Sequence, residues 1–276
     1  MKMKKILVTG SSGYIGRHLL DVLPNCYTVG LDRAFKPQSA DKFILQNILE
    51  NKMVEGEFDA VVHLAGLVNV GDSVNNPMRY YETNVAGTLK MLEQVDYKHF
   101  IFASTGAAEN PNSPYATSKR VTEDMVREYC QLNNKDCTIF RFYNVIGSAG
   151  YDPTNMDGLM YNLIKAGVET GVFNVYGDDY DTYDGTPVRD YIHVSEVCQA
   201  IKSAIELPSD GTIQNLATGS RYSVLQMVDL FKEANNMEFE VNVLPRRPGD
   251  LARSVLGEVS PYMVELFTID EKLKVI

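Results

Sequence analysis

The chain is short of cations: 26 lysines and arginines stand against 36 aspartates and glutamates, a formal charge of −10. A sequence-independent grip on nucleic acid needs clustered Lys and Arg, so this balance argues against one. No apolar run approaches the roughly 20 residues of a membrane helix, so no bilayer-spanning segment is expected. The opening MKMKKILVTG is basic and then apolar like a secretory signal, but its apolar stretch stops after Ile6, Leu7 and Val8. Cysteine is sparse. Cys26, Cys130, Cys137 and Cys198 form no C-x-x-C pair and no metal-ligand spacing, and they read as reduced thiols of a cytoplasmic protein. Internal repeats, low-complexity tracts and long charge runs are missing too, so no disordered tail is expected.

What is present is ordinary globular composition, 45% hydrophobic and 22% charged, in 276 residues, enough for one large domain or two smaller ones. Short apolar runs recur at Lys4–Thr9, Tyr27–Asp32, Ala60–Leu64, Phe100–Ala103 and Thr138–Phe142. Between them lie stretches of helical spacing at Tyr14–Leu23, Met78–Val95 and Tyr115–Leu132. In the last of these Val121, Met125 and Tyr129 repeat at i, i+4 and i+8. They are expected to form the buried stripe, with Arg120, Glu123, Asp124, Arg127 and Glu128 around the rest. Continuous apolar strands alternating with helices imply an α/β fold, a doubly wound parallel sheet covered on both faces. Beyond Asn144 the texture becomes irregular in SAGYDPTNMDG and GDDYDTYDGTPVRDY, with helices expected at Gly158–Glu169 and Ser223–Ala234. The expected organisation is one lobe of residues 1–144 and 190–220 and a smaller discontinuous lobe of 145–189 and 221–276. The cleft between them is the ligand site.

The first chemical signal is Gly10-Ser-Ser-Gly13-Tyr-Ile-Gly16, placed after the first strand and opening the first helix. Glycines there let the backbone approach a pyrophosphate, whose charge meets the helix N-terminal amides. Alone the motif also suits a turn that serves only packing. Asp32, at the end of the second strand, can hydrogen-bond an adenosine ribose diol and repel a 2′-phosphate. This favours NAD, although the neighbouring Arg33 could recruit that phosphate. The second signal is Ser104-Thr105 at a strand end, followed by Tyr115 and Lys119 four residues apart on one helical face. A nearby ammonium and a cationic nicotinamide would stabilise the phenolate of a tyrosine that otherwise titrates near 10. His63 and His193 sit within apolar runs and read as structural. The eleven methionines read as core filler, and the DDYDTYD cluster as a solvated acidic loop. No metal site is expected.

These motifs sit among others: VVHLAGL, VGDSVNNPMRYYETNVAGTL, FIFAST, SPYATSK, RFYNVIG, DGTPVRDYIHV, NLATGSRYSVLQMV and RRPGDLA. Together they resemble the extended short-chain dehydrogenase/reductases, and within them the UDP-glucose 4-epimerase family, over nearly the whole chain. The resemblance implies a Rossmann domain with a nucleotide-sugar-binding lobe, bound NAD, a UDP-sugar substrate and a homodimer formed through the Met78–Val95 and Tyr115–Leu132 helices. By motif, Gly10, Gly13, Tyr14, Ile15 and Gly16 would hold the pyrophosphate and Asp32 the adenosine ribose, with Asn47 and Ile48 towards adenine. Leu64, Ala65, Gly66, Ala103 and Ser104 would line the nicotinamide half, with Asn84 and Tyr143 beside it. Thr105 would bond the sugar 4-oxygen, Tyr115 would act as base and acid, and Lys119 would hold the nicotinamide ribose. Asn144, Arg189, Tyr191, Arg247 and Asp250 match positions for the nucleoside diphosphate, and Ser254 a position facing the sugar 2-substituent.

The chain departs from the family pattern at Asn47 (usually Asp), Val68 (often Lys) and Gly158 (Asn), and in a shortened segment between Thr105 and Tyr115. Two other readings stay open. A nucleotide-sugar 4,6-dehydratase would carry Asp-Glu directly after the threonine, where this chain has Gly106-Ala107. A non-catalytic NAD-binding regulator would typically lack the Tyr or the Lys.

Overall fold

The computed structural model describes residues 3–147, 158–207, 209–247, 250–255, 260–263 and 266–275. The turn-rich segment 148–157 and residues 248–249 of the RRPGD motif lie outside them. The first half contains strands β1 (Lys4–Thr9), β2 (Cys26–Asp32), β3 (Lys42–Leu45), β4 (Val54–His63), β5 (Val95–Thr105), β6 (Asp136–Phe142) and β7 (Asn144–Ile146). Helices α1 (Tyr14–Asp21), α2 (Val70–Asn75), α3 (Pro77–Tyr80), α4 (Gly87–Gln94) and α5 (Pro114–Leu132) connect them. The second half contributes β8 (Val172–Tyr176), β9 (Val188–Arg189), β10 (Tyr191–His193), β11 (Asp210–Leu216), β12 (Tyr222–Ser223), β13 (Glu240–Leu244) and β14 (Arg253–Ser254). Its helices are α6 (Leu159–Lys165), α7 (Val194–Glu206), α8 (Val224–Asn235) and α9 (Ile269–Leu273).

Seven strands form one parallel sheet in the order β11-β6-β5-β4-β1-β2-β3. Side chains alternate across a strand, so a strand apolar at every position is covered on both faces. In β1, Ile6 and Val8 pack with Leu19 of α1 and Val197 and Ile201 of α7, whereas Leu7 packs with Met91 of α4 and Val126 of α5. A third core, around Leu163, Phe173, Val175, Met227 and Phe231, lies in the chain after β6. The strand order reverses between β1 and β4, where a doubly wound sheet opens a crevice at its carboxyl edge. The loops leaving both strands meet there: a Cβ on Gly10 would lie 2.8 Å from the backbone nitrogen of Ala65. Gly10 has φ +71°, a left-handed conformation that glycine adopts without a steric penalty.

Three expectations need correcting. Helix α5 does not bury Val121, Met125 and Tyr129; Val121 is 43% exposed and the other two are half-buried. It buries Ala116, Lys119, Thr122, Glu123, Val126 and Cys130 instead. A buried charge is tolerated when paired, and Glu123 is paired in full, so apolar periodicity picked the wrong stripe. The Met78–Val95 helix is also interrupted. A wide turn at Tyr81–Ala86 inserts between α3 and α4, and Val95 already belongs to β5. The methionines divide rather than all filling the core: Met91, Met160 and Met227 are buried, whereas Met78 is 75% exposed. Among the described residues no helix is long and apolar enough to cross a membrane.

Candidate active site

Helix α5 begins where its sequence says it must. Ser113 caps it, accepting a hydrogen bond from the Ala116 amide at 3.2 Å, and Pro114 occupies the first turn, where a missing N–H costs nothing. The next residue is Tyr115, held at the N-terminus of a 19-residue helix, the end whose partial positive charge favours an anion. Its hydroxyl hydrogen-bonds with Thr105 at the end of β5. Burial pushes the Tyr115 phenol up and the Thr105 bond pulls it back. One turn on, the Lys119 ammonium donates to the Ala103 carbonyl at 2.8 Å and lies 4.8 Å from the centre of the Phe102 ring. Burial brings the Lys119 ammonium down to about 8, against an opposing pull from Glu123.

The wide turn that interrupts the α3–α4 region carries Asn84, and such turns recur at functional sites. Asn84 accepts from the Leu67 amide at 2.8 Å and donates to the Leu67 carbonyl and the Ser118 hydroxyl, both at 3.0 Å. It thereby ties the loop after β4 to α5. A Cβ on Gly66 would lie 3.0 Å from Asn84 Oδ1 and 3.4 Å from Lys119 Nζ, so a side chain there would press on both groups.

At the other end of the crevice the glycine turn is fixed by Asp32, whose Oδ2 accepts from the Ser12 amide at 3.0 Å. Gly13 caps α1 without a side chain, so the first-turn amides meet no side-chain acceptor. A Cβ on Gly16 would lie 2.4 Å from the Gly10 carbonyl oxygen. A turn that admits no side chain, followed by a helix N-terminus and a strand-end carboxylate, fits a dinucleotide. Asn47 turns its side-chain oxygen to the Leu49 amide, and Ile48 is buried against Gly87. Tyr14 donates through its hydroxyl to the Gly147 carbonyl, clamping α1 to the chain after β7.

A cavity of about 730 Å³ opens beside Tyr115. Thr105, Tyr115, Tyr143, Asn144, Arg189, Arg247, Asp250 and Ser254 all line it, so eight of the residues singled out by motif converge on one space. Tyr191 is buried and borders an adjoining pocket of about 180 Å³ that shares Asn144, Arg189, Arg247 and Asp250. Parallel pairing of β9 and β14 sets Ser254 beside Arg189, and Arg247 stacks 3.6 Å from the centre of the Tyr176 ring. The Tyr143 ring packs against Gly106, where a Cβ would lie 2.8 Å from it. Val68, half-exposed, also lines the cavity.

Glu123 and Asp190 escaped motif reading. Glu123 is fully buried and binds Ser104 and Arg141. Asp190, also buried, accepts from the Thr218 and Gly219 amides at 2.9 and 2.8 Å, fastening the loop after β11. His63 lies between the Thr9 hydroxyl at 2.8 Å and the Thr88 hydroxyl at 3.0 Å, and burial drops its pKa to about 3, so it is a neutral structural link. His193 accepts from the Ser195 amide and caps α7. Among the described residues no group of His, Cys, Asp or Glu is arranged to hold a metal ion.

Residues 6–217 match the NAD dependent epimerase/dehydratase family. UDP-glucose 4-epimerase of Haemophilus influenzae is 33% identical over a 298-residue alignment that covers 90% of this chain and 87% of that protein. The structure of UDP-glucose 4-epimerase from Bifidobacterium longum in complex with NAD+ and UDP superposes with a TM-score of 0.86 at 27% identity, covering 98% of this chain and 96% of that one. The UDP-Glc/GlcNAc 4-epimerase of Campylobacter jejuni superposes with a TM-score of 0.76 at 25% identity, covering 98% of each chain.

Proposed function

This chain belongs to the NAD-dependent epimerase/dehydratase family, and from that premise we propose that it is an NAD-dependent 4-epimerase interconverting UDP-hexoses, UDP-glucose and UDP-galactose first among them. The observation that carries the reading is the convergence of Thr105, Tyr115 and Lys119 at the end of β5 beside a cavity lined by Arg189 and Arg247. Asp32 and the Gly10–Gly16 turn would hold the cofactor, and Lys119, Ala103, Gly66 and Tyr143 would surround its nicotinamide half. A NAD held there would supply the hydride acceptor and donor for sugar carbon 4, so that the configuration at that carbon can invert. Tyr115 takes the 4-hydroxyl proton in the forward step and gives it back in the reverse. Burial alone opposes its ionised form, so the N-terminus of α5, the Lys119 ammonium and the Thr105 bond must together favour the phenolate. The 4-keto sugar between the two transfers must turn over inside the cavity. Firm binding therefore falls on the diphosphate, through guanidinium forks of Arg189 and Arg247, while the sugar stays loosely held. Local cations explain how a chain of charge −10 takes an anionic substrate.

The dehydratase alternative would need an acid/base pair beside Thr105. Gly106 is packed under Tyr143 there, and the Thr105 hydroxyl accepts from the Ala107 amide at 3.3 Å. Residues 1–144 and 190–220 form the cofactor lobe in this reading, and 145–189 with 221–276 the substrate lobe. A homodimer would bury Val121 of α5, 43% exposed, together with Met78. All four cysteines are free thiols, in keeping with a place in the cytoplasm. Incubation with a panel of UDP-, GDP- and dTDP-hexoses, with products resolved by chromatography, tests the activity. Conversion of no UDP-hexose would reject it.

Two predictions arise here. Mass spectrometry of cofactor released by denaturation should find NAD, because Asp32 faces the ribose position; a predominance of NADP would transfer control of that site to Arg33. The second concerns Ser254, small enough to leave room for an N-acetyl group at sugar carbon 2. UDP-N-acetylglucosamine and UDP-N-acetylgalactosamine should interconvert. Ser254→Tyr, by overfilling that space at about 1–3 kcal/mol, should slow the acetylated pair ~10–100-fold and spare the plain hexoses. Equal loss on both pairs would remove Ser254 from specificity.

A further inference from the structure

We propose that Glu123 is a positioning residue: from helix α5 it locks the end of β5 in register with the helix, so that Lys119 stays an ammonium beside the Thr105–Tyr115 pair. The proposal rests on the epimerase reading for its catalytic meaning. Tyr115, Lys119 and Glu123 stand at i, i+4 and i+8 on one helical face and grip three consecutive residues of one strand. Tyr115 bonds Thr105, Lys119 holds the Ala103 carbonyl at 2.8 Å, and Glu123 Oε1 accepts from the Ser104 hydroxyl at 2.5 Å. The same carboxylate takes a two-pronged bond from Arg141 of β6, Nε to Oε1 at 2.8 Å and a terminal guanidinium nitrogen to Oε2 at 2.7 Å. One carboxylate therefore joins α5, β5 and β6 beside the proposed reacting groups.

Packing does not require this arrangement. Val126 and Cys130, the next residues along the same buried face, are apolar. A buried ion pair adds little stability over apolar side chains of equal volume. What the pair does supply is a fixed polar register and a fixed negative charge one turn from Lys119. The titratable and charged groups about Lys119 are Tyr115 and Glu123 on its own helix and His63 from β4, with Arg141 of β6 and Arg120 behind Glu123. His63 is neutral at working pH, which leaves Glu123 as the carboxylate that opposes the effect of burial on Lys119.

The test uses the NAD-loaded protein with Glu123→Gln, which keeps the shape and an acceptor for Ser104 but removes the charge. Two readouts are taken: the pH dependence of kcat, and the titration of Lys119 followed by NMR of ε-¹³C-lysine, assigned with Lys119→Met. In Glu123→Gln both the alkaline fall of kcat and the Lys119 titration should move down by about one pH unit, a tenfold change in the charged fraction above the midpoint. KM should stay within about twofold. Removing the stranded guanidinium in Glu123→Gln/Arg141→Met should recover part of the shift while leaving Lys119 below its wild-type midpoint. Should the single variant fail to fold, the charge-neutral double variant carries the comparison. A lowered melting temperature with both midpoints unmoved would make Glu123 merely structural and overturn the proposal. An inactive wild type would reject the epimerase reading and leave the Lys119 titration to be judged on its own.

Discussion

Tyr115→Phe should keep the fold and the bound NAD and lose roughly 10²–10⁴-fold in turnover, the usual scale for removing a general acid–base. That loss corresponds to about 3–5 kcal/mol of barrier. The phenyl ring still fills its place beside Tyr80, whose ring centre lies 6.4 Å away. The hydroxyl is what disappears, and with it the bond to Thr105 and the group that exchanges the sugar's 4-hydroxyl proton in the proposed mechanism. Turnover is read with saturating UDP-glucose, and cofactor content by absorbance after denaturation. A variant that turns over within about threefold of wild type would take Tyr115 out of the mechanism altogether, since a general acid–base cannot be removed so cheaply.

Gly10→Ala should yield protein nearly free of NAD. Residue 10 has φ +71°, where a side chain costs ~1–2 kcal/mol, and the added carbon would sit 2.8 Å from the Ala65 nitrogen and 2.9 Å from the Leu64 carbonyl carbon. Both are backbone atoms of the neighbouring strand end, so neither can swing aside as a flexible side chain would. Relief requires the glycine turn to move away from Leu64–Gly66, which opens the crevice at the strand-order reversal. Cofactor released per chain should fall at least about tenfold, one power of ten for each ~1.4 kcal/mol lost. Activity should fall in parallel and return in part with excess NAD. A full complement of NAD in the purified variant would show that the turn has slack and that its geometry is not what holds the pyrophosphate.

The two predictions differ in how visible their residues were. Gly10, Gly13, Gly16 and Asp32 announce themselves because a turn against a phosphate admits no side chain, so the constraint is written in residue type. Tyr115 and Lys119 were legible because helical spacing converts i, i+4 into proximity. Alternation of apolar runs and helices gave the parallel sheet for the same reason: burial on both faces leaves Ile6, Leu7 and Val8 of β1 and the Phe100–Ala103 run of β5 without a polar position. Glu123 was illegible. Charge in a sequence reads as surface, and only tertiary structure supplies the partners, Ser104 and Arg141, that let a carboxylate enter the core. The exposed stripe of Val121 on α5 was misassigned by the complementary error, since an apolar face looks alike whether it meets the chain's own core or is left outside. Likewise nothing local marks Asp190, whose partners Thr218 and Gly219 lie 28 and 29 residues away along the chain.

Strand β11 arrives late. Its neighbour β6 ends at Phe142, and β11 pairs with it only from residue 210 onwards, after segments that belong to the other core have been threaded through. During synthesis at about 5–20 residues per second, β6 is therefore an uncapped sheet edge for several seconds. That edge carries Thr138, Ile139 and Phe140, then Phe142 beyond the single charge of Arg141, a largely apolar strand suited to intermolecular pairing. Nascent chains halted between residues 142 and 210 should be the aggregation-prone population, and those halted beyond Leu216 should not, so slower translation across that interval should lower the yield of folded protein.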